Sequence, residues 1–111
     1  MFIINESEKE FRQGNSGPKY LLKGDRMNFG IIRLAPGEKL TPHFYQIMEE
    51  NFFVVEGEPE IRIDGSLYRL KAGDFVHCEP AEVHALSNPG STDARLLFML
   101  APSTEGDKID A

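Results

Sequence analysis

The chain has 111 residues, of which 41% are apolar and 27% charged, with a formal net charge of −6 and one cysteine. That length fits one domain with a single core, and the composition is that of a globular chain rather than a disordered one. The acidic balance, with no basic patch to neutralise phosphates, argues against a nucleic-acid partner. Cys78 alone cannot close an internal disulfide and suits a reducing compartment. No apolar run approaches the ~20 residues of a membrane helix, and Met1-Phe2-Ile3-Ile4 lacks the flanks of a signal peptide. The expectation is a soluble cytoplasmic domain with no membrane partner.

In chain order, residues 1–18 form an N-terminal segment whose apolar run Phe2-Ile3-Ile4 is expected as a short edge strand, open to pairing with another subunit. One helical turn fits between Ser7 and Phe11, before Gly14, Ser16, Gly17 and Pro18 break it. Residues 19–101 carry the punctuation of an all-β domain. Short β-patterned runs are expected at residues 20–22, 28–34, 43–45 and 51–56, with Pro36-Gly37 as a turn between the second and third. Asp64-Gly65 separates runs at 60–63 and 66–70, the two-residue signal of a type I′ hairpin. Further runs at 74–78, 83–87 and 95–101 complete the set, and such spacing points to a sandwich or barrel. Residues 102–111 are polar and are expected as a mobile tail.

Two stretches carry the chemistry. In Gly37 to Gly57, His43 and Tyr45 lie two apart on a strand and therefore share a face. A carboxylate from Glu49 or Glu50 follows within a few residues, and Glu50 can come round to face them if the chain bends after Tyr45 and returns as a second strand. In Gly73 to Asn88, a second strand is followed by His84. Imidazole, phenol and carboxylate gathered inside a sheet make poor core, because unpaired buried polar groups are costly. A metal ion or a polar ligand resolves that conflict.

These stretches resemble the two motifs of the cupin superfamily. The first runs glycine, five intervening residues, His-x-His, three or four residues, a glutamate, six intervening residues and a glycine; here stand Gly37, His43, Tyr45, Glu50 and Gly57. The second runs from a glycine through Pro-x-Gly to a histidine and an asparagine; here stand Gly73, Glu79, Ala81, His84 and Asn88. The fifteen residues between Gly57 and Gly73 match the short spacing of small cupins. The resemblance implies a double-stranded β-helix, or jelly-roll, barrel that forms homodimers. It also implies a metal site of His43, Glu50 and His84 for a divalent ion (Fe, Mn, Ni or Zn), with Tyr45 where a further histidine ligand is usual.

Two functions follow. One is a metal-dependent enzyme acting on a small polar organic molecule, by dioxygenation, isomerisation or decarboxylation, with Tyr45 as proton donor or substrate clamp. The other is a non-catalytic, metal-free barrel that binds a small molecule, in which His43 and His84 bond to each other or to water and Glu50 bonds to Tyr45. By strand parity Glu49 and His77 face away from the site, and Cys78 is expected in the core. Phe29, Phe52, Phe53, Phe75 and Phe98 are expected as core or interface, and Arg33 is a candidate partner for an anionic substrate, though a solvated or salt-bridged arginine is the commoner case.

Overall fold

The structure is a computed structural model that describes residues 1–111. Ten strands follow one 3₁₀ turn, Glu6–Glu8: β1 Gly17–Lys23, β2 Asn28–Leu34, β3 His43–Tyr45, β4 Glu49–Glu56, β5 Glu60–Ile63, β6 Ser66–Arg69, β7 Phe75–Cys78, β8 His84–Ser87, β9 Ala94–Ala101 and β10 Lys108–Asp110. They form two five-stranded antiparallel sheets, ordered β1-β2-β9-β4-β7 and β10-β3-β8-β5-β6. The all-β jelly roll expected from the sequence is what forms. No helix is long and apolar enough to cross a membrane.

Alternation along the strands builds the core. In β9 every second residue is buried, so Ala94, Leu96, Phe98 and Leu100 face inward against Phe52 and Val54 of β4 and Ile32 and Leu34 of β2. Gly30 is required beside them, because a Cβ there would lie 2.6 Å from the Phe98 ring and 2.2 Å from the Lys19 carbonyl oxygen. Cys78 is fully buried in this core. Phe52 and Phe98 are core residues, whereas Phe53 and Phe75 stand exposed on the outer face. Asp64 and Gly65 both have positive φ (47° and 87°), as a type I′ turn demands.

Two expectations are corrected, and of the two readings of Arg33 the salt-bridged one is observed. Phe2 and Ile3 form no strand and are exposed. The nearby segment is instead pinned over the outer face by Lys19, whose ammonium is buried against the Glu6 carboxylate (2.7 Å), the Glu6 carbonyl (2.8 Å) and the Phe11 ring (4.2 Å). The last residues are not a loose tail, since β10 pairs with β3, Lys108 opposite Tyr45 and Asp110 opposite His43. Arg33 does not face the interior; its guanidinium is spent on Asp93 (2.6 Å) and the Asn15 carbonyl.

Candidate metal centre

The two sheets face each other at one end of the barrel, and the inward positions there are polar. His43 on β3 lies directly opposite His84 on β8 in one sheet, and Glu50 projects from β4 of the other. All three are buried. Between β3 and β4 the chain crosses from sheet to sheet through Gln46, Ile47 and Met48. The buried Asp107 carboxylate holds that crossing, accepting from Ile47 N (2.9 and 3.0 Å) and Met48 N (2.8 Å). The bend that lets Glu50 meet the histidines therefore depends on a residue from the chain's end, which no local pattern around His43 reveals.

The histidines are oriented from behind. His43 Nδ1 bonds to the Thr41 carbonyl (2.8 Å) and His84 Nδ1 to the Glu82 carbonyl (3.0 Å). A carbonyl only accepts, so each Nδ1 carries the proton and each Nε2 is turned inward, the arrangement that prepares imidazole as a ligand. Both Nε2 atoms converge on one carboxylate oxygen, Glu50 Oε1, at 3.6 Å from His43 and 2.7 Å from His84. One ligand atom from each of the three residues lies within 4.8 Å of the others.

Burial alone would raise the Glu50 pKa, but its bonds to His43 and His84 outweigh this and hold the carboxylate below the usual range. Burial works against the His84 cation, yet Cys78 and Glu50 together lift its pKa to about 10, so without an ion Nε2 also carries a proton, donated to Glu50, which a bound metal would have to displace. Tyr45 completes the wall, its ring edge-on to His43 at 5.5 Å. Burial first, and then the Glu50 charge, push the phenol well above its ordinary pKa. It stays a neutral hydroxyl rather than a phenolate. Glu49 and His77 lie outside this group: they contact each other at 3.1 Å on the outer face, and His77 also meets Glu79 at 3.0 Å.

The trio opens onto a cavity of ≈ 170 Å³ walled by Tyr20, Leu40, Phe52, Leu86 and Phe98. An apolar cavity of about 150 Å³ accommodates benzene, so this one suits a molecule of similar size. Arg12, Gln13 and Lys108 also line it, all from outside the two stretches singled out in the sequence. Their spacing carried no signal, because only folding brings the chain's two ends to the barrel mouth.

A double-stranded β-helix with paired imidazoles and a carboxylate at one end of its interior defines a class of barrel proteins. A cupin-domain family model matches residues 30–100, and the chain belongs to that family. A tetracenomycin polyketide synthase protein of Streptomyces glaucescens is 30% identical over 73 residues, covering 66% of this chain and 49% of that protein. An oxalate-binding protein of Thermotoga maritima is 28% identical over 72 residues, covering 65% of this chain and 60% of that one. A Klebsiella pneumoniae protein with a double-stranded β-helix domain superposes with a TM-score of 0.85 at 24% identity, over 100% of this chain and 97% of its own. That likeness bears on the fold. The chain spans about half the length of the curated relatives it matches first.

Proposed function

We propose that this chain is a metal-dependent cupin in which His43 Nε2, His84 Nε2 and a Glu50 carboxylate oxygen hold one divalent ion, and that it acts on a small polar organic molecule admitted to the cavity. The donor set supports this reading. For metal–ligand bonds of about 2.1 Å at right angles, neighbouring donor atoms lie about 3.0 Å apart. The Glu50–His84 and Glu50–His43 separations, 2.7 and 3.6 Å, bracket that value. Two imidazoles and one carboxylate form the set typical of non-haem iron, and the Nδ1 bonds fix the tautomer a ligand needs. The observation that carries the proposal is the convergence of both Nε2 atoms on Glu50 Oε1 at the floor of a cavity.

When bound, the ion supplies Lewis-acid or oxygen-activating chemistry, and three protein ligands leave coordination positions free for substrate. The chain's own residues do the rest. Phe52, Leu86 and Phe98 exclude water and strengthen electrostatic contacts in the cavity. Tyr45, kept as a neutral phenol, donates a hydrogen bond to the substrate and is the proton source if the reaction needs one. Dioxygenase-, isomerase- and decarboxylase-type chemistry all fit this arrangement.

A second reading is supported by the 2.7 Å His84–Glu50 bond, through which the trio satisfies its own hydrogen bonding without an ion. It makes the protein a metal-free binder of small molecules. Titration with Co²⁺ separates the two. The metal-dependent reading expects a visible d–d band that saturates at one equivalent and vanishes in His84→Ala. A featureless titration of folded protein sinks it.

The proposal extends to a homodimer. Phe53, Val55 and Phe75 are exposed together on the outer face of β4 and β7, with β7 an open sheet edge. A second copy laid on this face covers them. Sedimentation should give twice the 12.5 kDa chain mass, and Phe75→Lys should halve it. A monomer in the unaltered protein at micromolar concentration contradicts the pairing.

A further inference from the structure

We propose that Arg12 and Lys108 form an anion-binding rim at the cavity mouth, so that the molecule admitted is a small carboxylate whose charged end is held there while its far end reaches the His43–Glu50–His84 floor. This rests on the metal-dependent reading for the floor, but not for the rim.

The charge distribution motivates it. Of the chain's 18 acidic residues only Glu50 lines the cavity, and Glu50 faces two imidazoles. Two of the 12 Lys and Arg residues line it as well, in a chain of net charge −6. Other cations near the rim and outer face are consumed: Arg33 by Asp93, and Lys19 and Arg95 by Glu6. Arg12 and Lys108 make no ion pair within the chain. A guanidinium offers a planar fork that fits a carboxylate, and an ammonium adds a point charge.

The backbone places both groups firmly. Arg12 sits in the tight turn closed by the Phe11–Gly14 bridge, with its own N–H bonded to the Pro18 carbonyl at 2.9 Å. The Glu6–Lys19 clamp anchors the chain just before that turn. Lys108 is the β10 residue paired with Tyr45, which puts it on the strand beside the site. The Arg12 charge is felt inside as well: burial raises the Tyr20 and Tyr45 phenol pKa values and Glu50 adds to the rise, while Arg12 opposes it. Both residues fall outside residues 30–100, the span that matches the family model. Selectivity for an anion would thus be a property of the chain's flanks.

The cavity volume limits the ligand to about benzene's size. Malonate and its neutral, similarly shaped analogue malonamide are suitable probes. Each is titrated into chelator-treated and Co²⁺-loaded protein, with binding read from amide and Arg12 Nε–H NMR shifts. In both forms malonate should shift Arg12 and Lys108 while malonamide does not, and affinity should fall as salt rises. In the double variant Arg12→Gln/Lys108→Gln the malonate Kd should rise about tenfold or more, with the fold verified by an unchanged amide spectrum elsewhere. Arg12→Lys should recover part of the loss. Equal binding of malonate and malonamide, or a double variant that binds malonate as the unaltered protein does, overturns the proposal. If Co²⁺ does not bind, the metal reading fails, while the chelator-treated arm still decides the rim.

Discussion

At the scale of single residues, two departures from the cupin pattern have different consequences. Tyr45 stands where a further histidine is usual, and burial with the Glu50 charge keeps its proton on. On the metal-dependent reading it would act as a hydrogen-bond donor, leaving His43, Glu50 and His84 as the proposed ligands. Ala81 stands where a glycine is usual, and the backbone keeps the glycine conformation, with φ at +71°. A left-handed alanine costs about 1–2 kcal/mol, of which the looser unfolded chain of a glycine variant takes back part. Ala81→Gly is therefore expected to stabilise the protein by about 0.5–1 kcal/mol, read from the urea midpoint. That His43, Glu50 and His84 lie together follows the resemblance to the two cupin motifs, while period-two alternation alone places only His43 and Tyr45 on one face. Arg12 was not legible in the sequence, because nothing near it in the chain announces a cavity. The salt bridge of Arg33 was anticipated as a type, but its partner, Asp93, is distant in sequence and was not.

At the scale of elements, turn chemistry made most strands readable: Pro36-Gly37, Asp64-Gly65 and Gly73 each fall where one strand gives way to the next. The last strand escaped because Lys108–Asp110 has almost no apolar pattern and is held by pairing with β3. Asp107, just before it, locks the crossing between β3 and β4 that brings Glu50 to the histidines. Asp107→Ala strands the buried Met48 N–H and the partly buried Ile47 N–H and should cost about 2–3 kcal/mol by urea denaturation, with Asp107→Asn losing less. A neutral result would mean that the crossing holds itself.

The N-terminal clamp has a pH signature. The Lys19 hydrogen bond above all lowers the Glu6 pKa; burial opposes it, and Arg95 adds to the lowering. A lowered carboxylate pKa stabilises the folded segment above the ordinary value of 4.5, and that contribution is lost as pH falls through the folded value. Hydrogen-exchange protection of the Arg12 and Gln13 amides should accordingly fall as the pH drops below 4.5, before that of Leu96 in the core, and should already be low at pH 7 in Glu6→Gln. Simultaneous loss at all three amides contradicts a local clamp.

At the scale of the whole molecule, two sheets bury one apolar core and leave a polar end where strands from both converge. The chain is acidic overall, yet the mouth of its cavity gathers Arg12 and Lys108. On the proposed reading a small ligand would lie with its charged end outward and its other end toward Glu50 and the histidines. The central claim is that His43, Glu50 and His84 hold one divalent ion. Its most direct test is the metal content of protein purified without an affinity tag or chelator, measured by mass spectrometry beside His43→Ala, Glu50→Ala and His84→Ala variants that retain the fold. About one ion per chain in the unaltered protein, and far less in each variant, is the expected result. Folded protein that carries no metal and takes up none from a 1:1 supply of Fe²⁺, Mn²⁺, Ni²⁺ or Zn²⁺ would contradict it.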